Sequence, residues 1–379
     1  MSSTPDLLSS ALTSAAVSPV QDPEIIPDAL TPGLDGHGIR TKHQVETETA
    51  VREYLSDLRQ YVEHAAVNLD LPADPAGLYD PVRYVLGMGG KRLRPVMVVL
   101  AAEMVAPGNE EARKAALNPA LGVEVFHNFS LLHDDIMDEA PLRRGKPTVH
   151  IKWNPNTAIL SGDLMLVEAF RLASTGPAEV SADILKTFSQ TAREVCEGQQ
   201  LDMDFEQRMD VTVEEYTSMI RRKTAVLLAA SLSIGARCGG ASAEIAELLY
   251  EYGISIGLAF QLRDDYLDAW GDPERFGKTV GGDIIQNKKT FLLIRALEKA
   301  QGAERDELDR WIAATDFEPA EKVAAVLELF AKLGIREEVE AAEKEHAERA
   351  AGLLAQLQES GIQTQMLEAF VDDLLARQH

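Results

Sequence analysis

Cysteine, long apolar runs and early basic residues are all scarce in this chain of 379 residues. The only two cysteines, Cys196 and Cys238, predict neither a disulfide framework nor a Cys-x-x-Cys metal site. No run of about 18 apolar residues occurs, so no ordinary transmembrane helix is expected. The first Lys or Arg is Arg40, so the N-terminal segment lacks the basic residues typical of a signal or transit peptide. These absences predict a cytoplasmic protein.

Basic residues are also outnumbered, with 37 Lys and Arg against 61 Asp and Glu, and the formal net charge is −24. Nucleic-acid binding requires a basic surface, so that class of function is excluded. An ordinary acidic protein and a protein adapted to a salt-rich cytoplasm both fit the composition. Residues 1–42, rich in Ser, Thr, Pro, Ala and Gly, are predicted to form a disordered tail.

A dense acidic cluster is followed by a basic one in FHNFSLLHDDIMDEAPLRRGKP, residues 126–147. Apolar residues recur there at helical intervals, which places Asp134, Asp135 and Asp138 on a helix. Asp134 and Asp138 would then lie one turn apart on the same face and repel each other. Mg2+ would relieve that repulsion and keep coordination positions for phosphate oxygens. A solvated acidic face is the alternative for one such motif.

The same spacing occurs again in FQLRDDYLD, residues 260–268, where it brings Asp264, Asp265 and Asp268 together. If the two helices face each other across a bundle, six carboxylates surround one site. Six carboxylates would hold several Mg2+ ions, which a solvated face does not require. The repeat therefore favours a metal-bound polyanion.

Basic residues lie at a loop-to-helix junction in VLGMGGKRLRP, residues 85–95. Helix N–H groups at such a junction already favour anions, and Lys91, Arg92 and Arg94 would add positive charge there. The segment is therefore a candidate diphosphate clamp. His127 lies seven residues before Asp134 and hence on nearly the same helical face. It is either a packed core histidine or a substrate contact.

Helical periodicity dominates the chain from about Gln44 onward, and no strand-type alternation competes with it. The pattern predicts an all-α protein with a single domain over residues 43–379. Predicted helices include residues 119–136, 157–173, 179–205, 213–221 and 245–270, with a very apolar segment following Lys223 and Thr224.

The two acidic motifs, their basic followers and GGKRLRP together resemble the trans-isoprenyl diphosphate synthases, or polyprenyl synthetases, over residues 45–378. The resemblance implies a bundle of long helices around a deep central cavity, assembled as a homodimer. It implies condensation of isopentenyl diphosphate with an allylic diphosphate, head to tail, using three Mg2+ ions per active site. The acidic composition predicts no nucleic-acid partner.

The resemblance also implies roles for individual residues. Metal binding would involve Asp134, Asp135, Asp138, Asp264 and Asp268, with Asp265 part of the second motif. Isopentenyl diphosphate would contact Lys91, Arg94, His127 and Arg144. The allylic diphosphate would contact Arg143, Lys223, Thr224, Gln261, Lys278 and Lys288. Among these, Lys223 and Lys278 would act in catalysis with the six aspartates by stabilising charge on the leaving group.

Product length would depend on residues about one turn before Asp134, because the growing tail runs beside that helix. Phe129 and Ser130 are the candidates. An aromatic residue with a small neighbour resembles the short-chain synthases and favours geranylgeranyl diphosphate (C20), with farnesyl diphosphate (C15) as the alternative. Phe129 as a simple core residue also fits the pattern.

Three other functions compete with this interpretation. A class I terpene cyclase has a similar acidic helix but needs no isopentenyl diphosphate clamp. A di-iron bundle would use the Glu-x-x-His pairs Glu124–His127 and Glu343–His346, but it explains none of the basic residues. A non-catalytic partner subunit would be expected to lose acidic motifs, and this chain keeps both.

Overall fold

The computed structural model describes residues 42–272 and 280–376, with side chains over 49–272 and 280–372. The chain divides into a unit over residues 1–46, of which 42–46 are described as the start of a helix, and a unit over residues 47–379. The predicted tail, residues 1–42, lies outside the described residues except for Lys42. Lys278 also lies outside them.

The described part of the chain is almost entirely helical, which confirms the all-α prediction. The helices are α1 (Lys42–Val67), α2 (Ala76–Leu86), α3 (Leu93–Val105), α4 (Glu110–Met137), α5 (Val149–Lys152), α6 (Pro155–Ala173), α7 (Ser181–Glu206), α8 (Val213–Ile220), α9 (Val226–Cys238), α10 (Ala243–Trp270), α11 (Gly282–Ile285), α12 (Phe291–Lys299), α13 (Ala303–Ala313), α14 (Pro319–Leu333), α15 (Ile335–Glu359) and α16 (Gln365–Ala376). A π-helical turn, Arg221–Ala225, joins α8 to α9. Two short antiparallel strands, β1 (Leu142–Arg143) and β2 (Lys146–Pro147), follow α4.

The first acidic helix, α4, begins well before Pro119, so the predicted start was wrong. Asn109 caps it by accepting hydrogen bonds from the N–H groups of Glu111 and Ala112. Pro119 is buried inside the helix. A proline there removes only one backbone donor, and tertiary packing can outweigh that loss. Sequence periodicity alone weighted the proline too heavily.

The centre of the bundle is α9, whose residues are almost all buried. It packs against α3, α4, α7 and α10. The π-helical turn at its start contacts α10, where Thr224 Oγ1 donates to Gln261 Oε1 at 3.4 Å. Lys223 from the same turn acts electrostatically on Asp134 at the end of α4. Both acidic motifs therefore lie at one end of α9.

Among the described residues, no helix is long and apolar enough to cross a membrane.

Candidate active site

The first acidic motif lies on the last turn of α4. The Asp138 N–H donates to the Asp134 carbonyl at 2.8 Å, so the two residues are one helical turn apart as predicted. Burial raises the pKa of Asp134, Lys223 lowers it, and Asp138 raises it again. Asp134 thus carries a charge that is costly without a cation beside it.

The middle carboxylate of this motif has a protein partner. Arg143 Nε donates to both oxygens of Asp135 at 2.8 and 2.9 Å, and its Nη2 lies 2.8 Å from Oδ1. The β1–β2 hairpin directs Arg143 back across α4, because Arg144 and Gly145 in its turn both have positive φ. Asp135 is buried, so this bidentate pair anchors the hairpin to the acidic helix.

The hairpin also brings Arg144 to the loop that precedes α3. A Cβ atom on Gly90 would lie 2.7 Å from Arg144 Nη1, so a side chain at this position would displace the guanidinium. Arg94 Nη1 lies 3.2 Å from His127 Nε2. Burial lowers the pKa of His127 well below its ordinary value, and Arg94 and Arg144 lower it further.

The guanidinium of Arg94 is buried and incompletely hydrogen-bonded among the described residues. Burial lowers the pKa of its guanidinium to about 10, and its Nε is buried without a hydrogen-bond partner among the described residues. Three of the four side chains predicted to bind isopentenyl diphosphate, Arg94, His127 and Arg144, therefore form one cationic cluster; Lys91, the fourth, is exposed on the loop before α3. An unpaired buried donor among cations fits an anion.

Arg92, grouped with these cations in the sequence, has a different position. It is buried with positive φ at the start of α3 and donates to Glu63, Glu124 and the Leu86 carbonyl. Asn128 Nδ2 also donates to Glu124 Oε1 at 2.8 Å. Arg92 therefore fixes the loop instead of facing a ligand. Its ion pair also occupies the Glu124 carboxylate that the di-iron interpretation would need.

The second acidic motif lies near the end of α10, and its middle carboxylate is again engaged by the protein. Asp265 accepts hydrogen bonds from Tyr216 Oη at 2.5 Å and from the Phe291 N–H at 3.2 Å. Burial raises its pKa to about 7. Asp264 and Asp268 are half-buried on the same helix, and the Asp283 N–H donates to Asp268 Oδ2 at 3.0 Å.

Lys288 connects the two motifs electrostatically. Its ammonium lies 3.9 Å from Asp283, and the Lys288 N–H donates to the Asp283 carbonyl at 2.9 Å. Desolvation lowers its pKa, but carboxylates on several elements raise it by more. In order of effect these are Asp283, Asp202, Asp265 and Asp138. The Lys288 ammonium therefore interacts electrostatically with carboxylates of both motifs, as expected if the motifs face a common site.

Asp202 on α7 is a site residue that the sequence did not reveal. Lys223 Nζ donates to Asp202 Oδ2 at 2.5 Å, and Asp202 also acts on Asp134 and Lys288. It stands among other acidic residues on a long helix and belongs to neither repeated motif. Only the position of Lys223, in a π-helical turn that is typical of functional sites, distinguishes it.

A cavity of about 270 Å³ joins several predicted groups. Asp134 lines it at the acidic end, Lys223 and Thr224 on one side, and Arg94 and His127 on another. The candidate chain-length residues, Phe129 and Ser130, line the cavity as well. Apolar side chains from α4, α7 and α9 complete its wall. The structure thus brings the cationic cluster, part of the first acidic motif and the chain-length residues to one cavity.

Divalent metal fits this donor set when a ligand supplies the remaining coordination. Over residues 42–272 and 280–376, no group of three or more His, Cys, Asp or Glu side chains could hold a metal alone. The candidate ligands remain Asp134, Asp135, Asp138, Asp264 and Asp268, of which Asp135 is also bound by Arg143. Mg2+ commonly takes one or two carboxylates and completes its shell with water and phosphate oxygens.

Comparison with known proteins identifies the family. A model of the polyprenyl synthetase family matches residues 75–330. A geranylgeranyl diphosphate synthase from Methanosarcina mazei is 47% identical over 239 residues, 62% of this chain and 72% of that protein. A geranylfarnesyl diphosphate synthase from Natronomonas pharaonis is 43% identical over 270 residues, 66% of this chain and 77% of that protein.

Solved structures agree with the sequence comparison. A crystal structure of a geranylgeranyl pyrophosphate synthase superposes with a TM-score of 0.76 at 44% identity, covering 88% of this chain and 99% of that one. The chain belongs to the polyprenyl synthetase family. Its activity is accordingly that of a short-chain trans-prenyltransferase, and divalent metal binds diphosphate in this family.

Gly198 on α7 provides a test of how the π-helical turn is positioned. A Cβ atom there would lie 2.3 Å from the Lys223 backbone N, so Gly198→Ala must displace the turn. We expect catalytic turnover to fall by about 100-fold, because small misplacements of catalytic groups are costly. Steady-state kinetics of the purified variant would measure the loss.

The matched control is Gly352→Ala on α15, where a Cβ would meet nothing within 4 Å. It should leave turnover unchanged and increase the free energy of unfolding by about 0.4–1 kcal/mol. Wild-type turnover in Gly198→Ala would show that the turn tolerates displacement.

Proposed function

We propose that this prenyltransferase condenses isopentenyl diphosphate with an allylic diphosphate and releases geranylgeranyl diphosphate as its main product, with residues 43–379 as the catalytic domain. The main support is the cavity where Asp134, the neighbouring Arg94 and His127, and Phe129 meet. A metal-binding carboxylate, a metal-independent anion site and an apolar wall are the three features this reaction requires.

The allylic diphosphate would bind between the outer aspartates of the two motifs with three Mg2+ ions. Mg2+ supplies neutralisation of the charge that develops on the leaving diphosphate. Lys223 and Lys288 add fixed positive charge there, and Asp135 keeps Arg143 directed toward the same region. Lys278 is proposed for this set from the family resemblance alone.

Isopentenyl diphosphate would bind at the cationic cluster. Arg94 and Arg144 supply charge-assisted hydrogen bonds, Lys91 adds an exposed positive charge, and neutral His127 donates one hydrogen bond to the diphosphate. The C1–O bond of the allylic substrate breaks, and the isopentenyl double bond attacks the resulting carbocation to form a carbon–carbon bond. The proton then lost passes to the departing diphosphate, so no side-chain base is needed.

Product length is proposed from the end of the cavity. Phe129 is buried and lies 4.7 Å from the His133 ring and 5.5 Å from the Phe126 ring. Behind it, Phe126 contacts Phe188, which contacts Phe170. This aromatic row supports an intermediate depth suited to a C20 tail, and relatives named for C20 and C25 products favour C20 over the C15 alternative.

The reaction is tested by incubating the protein with Mg2+, isopentenyl diphosphate and, separately, C5, C10 and C15 allylic diphosphates. We expect condensation to C20, and we expect Asp134→Ala or Asp264→Ala to lower turnover by more than about 100-fold because a metal ligand is lost. Chromatography of the dephosphorylated products gives chain length.

The control is Asp57→Ala, which removes an exposed carboxylate on α1. Its turnover should equal that of the wild type. Full activity in the Asp134 and Asp264 variants would refute the metal assignment. Hydrocarbon formed from an allylic diphosphate alone would instead support a terpene cyclase.

Phe129→Ala should lengthen the product by one or two isoprene units, because removing the ring opens the cavity toward Phe126 and Phe188. Ser130→Ala is the matched control on the same turn. This substitution removes one oxygen atom, whose hydroxyl donates to the His127 carbonyl at 2.8 Å. The volume of the cavity therefore changes little, and the C20 product should persist. An unchanged product from Phe129→Ala would show that Phe129 is a core residue with no effect on length.

We also propose that the protein is a homodimer that uses the outer face of α5 and α6. Large apolar side chains are exposed together there, namely Ile151, Ile159, Leu160 and Val167. The family resemblance implies that a second copy of this chain covers the face. Within each copy, α6 packs directly on the acidic helix α4. Pairing of two α6 helices would thus brace the cavity wall in each subunit.

Leu160→Glu and Val167→Glu should convert the dimer to monomer, because each places a charge in an apolar interface. Light scattering coupled to size exclusion would measure the mass. Val67→Glu changes another exposed valine, at the end of α1, and should leave the mass unchanged. Dimers that persist in both α6 variants would place the interface elsewhere.

A further inference from the structure

Lys322 on α14 is a fully buried lysine outside all of the sequence motifs. Its side chain is 1% exposed, and its ammonium donates to the Ile285 carbonyl at 3.2 Å and to Asn287 Oδ1 at 2.7 Å. The Phe317 ring centre lies 4.4 Å from the same nitrogen. Burying an ammonium is expensive, so a lysine at this position calls for an explanation beyond packing.

The contacts of Lys322 converge on one short segment. Ile285 is the last residue of α11, where carbonyls lack helical partners, so the ammonium caps that helix. Asn287 has a φ of 54°, a strained value for a residue with a side chain. Its Nδ2 donates to the Ile312 carbonyl at 3.0 Å, and Lys289 Nζ donates to the Asn287 carbonyl at 3.2 Å.

This segment carries groups of the second acidic site. The Asp283 N–H donates to Asp268 Oδ2, and the Lys288 N–H donates to the Asp283 carbonyl. The backbone orientation of Asp283 therefore determines one hydrogen bond to the motif. Lys322 binds the Ile285 carbonyl and the Asn287 side chain, which lie between Asp283 and Lys288. These contacts therefore constrain the backbone orientation of Asp283 without touching the acidic motif.

We propose that Lys322 and Asn287 are positioning residues that hold the segment 281–288 against the second acidic motif and thereby set the affinity of that motif for metal-bound diphosphate. The inference rests on the proposed function, since it assigns the ligand of the motif. It gives α14 a role in the active site without direct contact to substrate.

The test uses Lys322→Met, which keeps an unbranched side chain but removes both hydrogen bonds. The Mg2+ concentration for half-maximal turnover should rise by about tenfold or more, as for other residues that orient metal ligands. The KM for isopentenyl diphosphate should not change, because its cationic cluster lies on other elements. The Asp283 amide should exchange hydrogen faster than in the wild type.

A second readout does not need turnover. Mg2+ together with inorganic diphosphate should raise the melting temperature of the wild type, and this rise should be smaller in Lys322→Met. Lys332→Met is the matched control: Lys332 lies on the same helix, but its side chain is 51% exposed and pairs only with Glu328 among the described residues. All measurements on this control should equal those on the wild type.

Asn287→Gly provides a second route if Lys322→Met does not fold. Glycine accepts a positive φ readily and removes the side chain that Lys322 binds. It should also raise the Mg2+ concentration for half-maximal turnover, and the effects of the two substitutions should be less than additive in the double variant, because both remove the hydrogen bond between Lys322 and Asn287. A folded Lys322→Met or Asn287→Gly protein with wild-type Mg2+ dependence and melting shift would overturn the proposal. Failure of the wild type to condense substrates would refute the proposed function separately, since the melting shift still tests this inference.

Discussion

Repulsion between like charges, concentrated at one end of an apolar bundle, is the constraint on which this structure depends. Two acidic motifs and a cluster of cations lie around the start of α9. The protein relieves part of the repulsion itself, since Arg143 binds Asp135 and Tyr216 donates to Asp265. We propose that the outer aspartates of each motif bind the metal. In this proposal, the middle carboxylate of each motif anchors the surrounding structure.

Packing supplies the precision that charge alone does not. The buried helix α9 holds the π-helical turn in place, and this turn directs Lys223 toward Asp202 and Asp134. A glycine on α7 permits the close approach. Elsewhere, the buried Arg92 fixes the loop that presents Lys91 and Arg94. Charged groups at the site are thus oriented by residues whose own charges are already satisfied.

The sequence predicted the all-α fold, both acidic helices and most candidate site residues, because periodicity and repeated spacing are local signals. It placed the start of α4 too late, since Pro119 is a strong local signal that tertiary packing overrides. It did not separate Arg92 from Arg94, because the partners Glu63 and Glu124 are distant in the chain. Asp202 and Lys322 depend wholly on such long-range contacts and left no local pattern.

The two diphosphate sites differ in a way that bears on which bond breaks. The cationic cluster around His127 is built from arginines whose burial lowers their pKa or leaves a donor unpaired, so the cluster fits an anion without a metal. At the acidic motifs an anion is repelled unless a divalent cation accompanies it. A diphosphate bound with metal becomes a better leaving group, whereas one bound by guanidinium groups is held but less activated. If the two substrates bind as proposed, this difference gives a physical reason why the allylic diphosphate departs while isopentenyl diphosphate keeps its own.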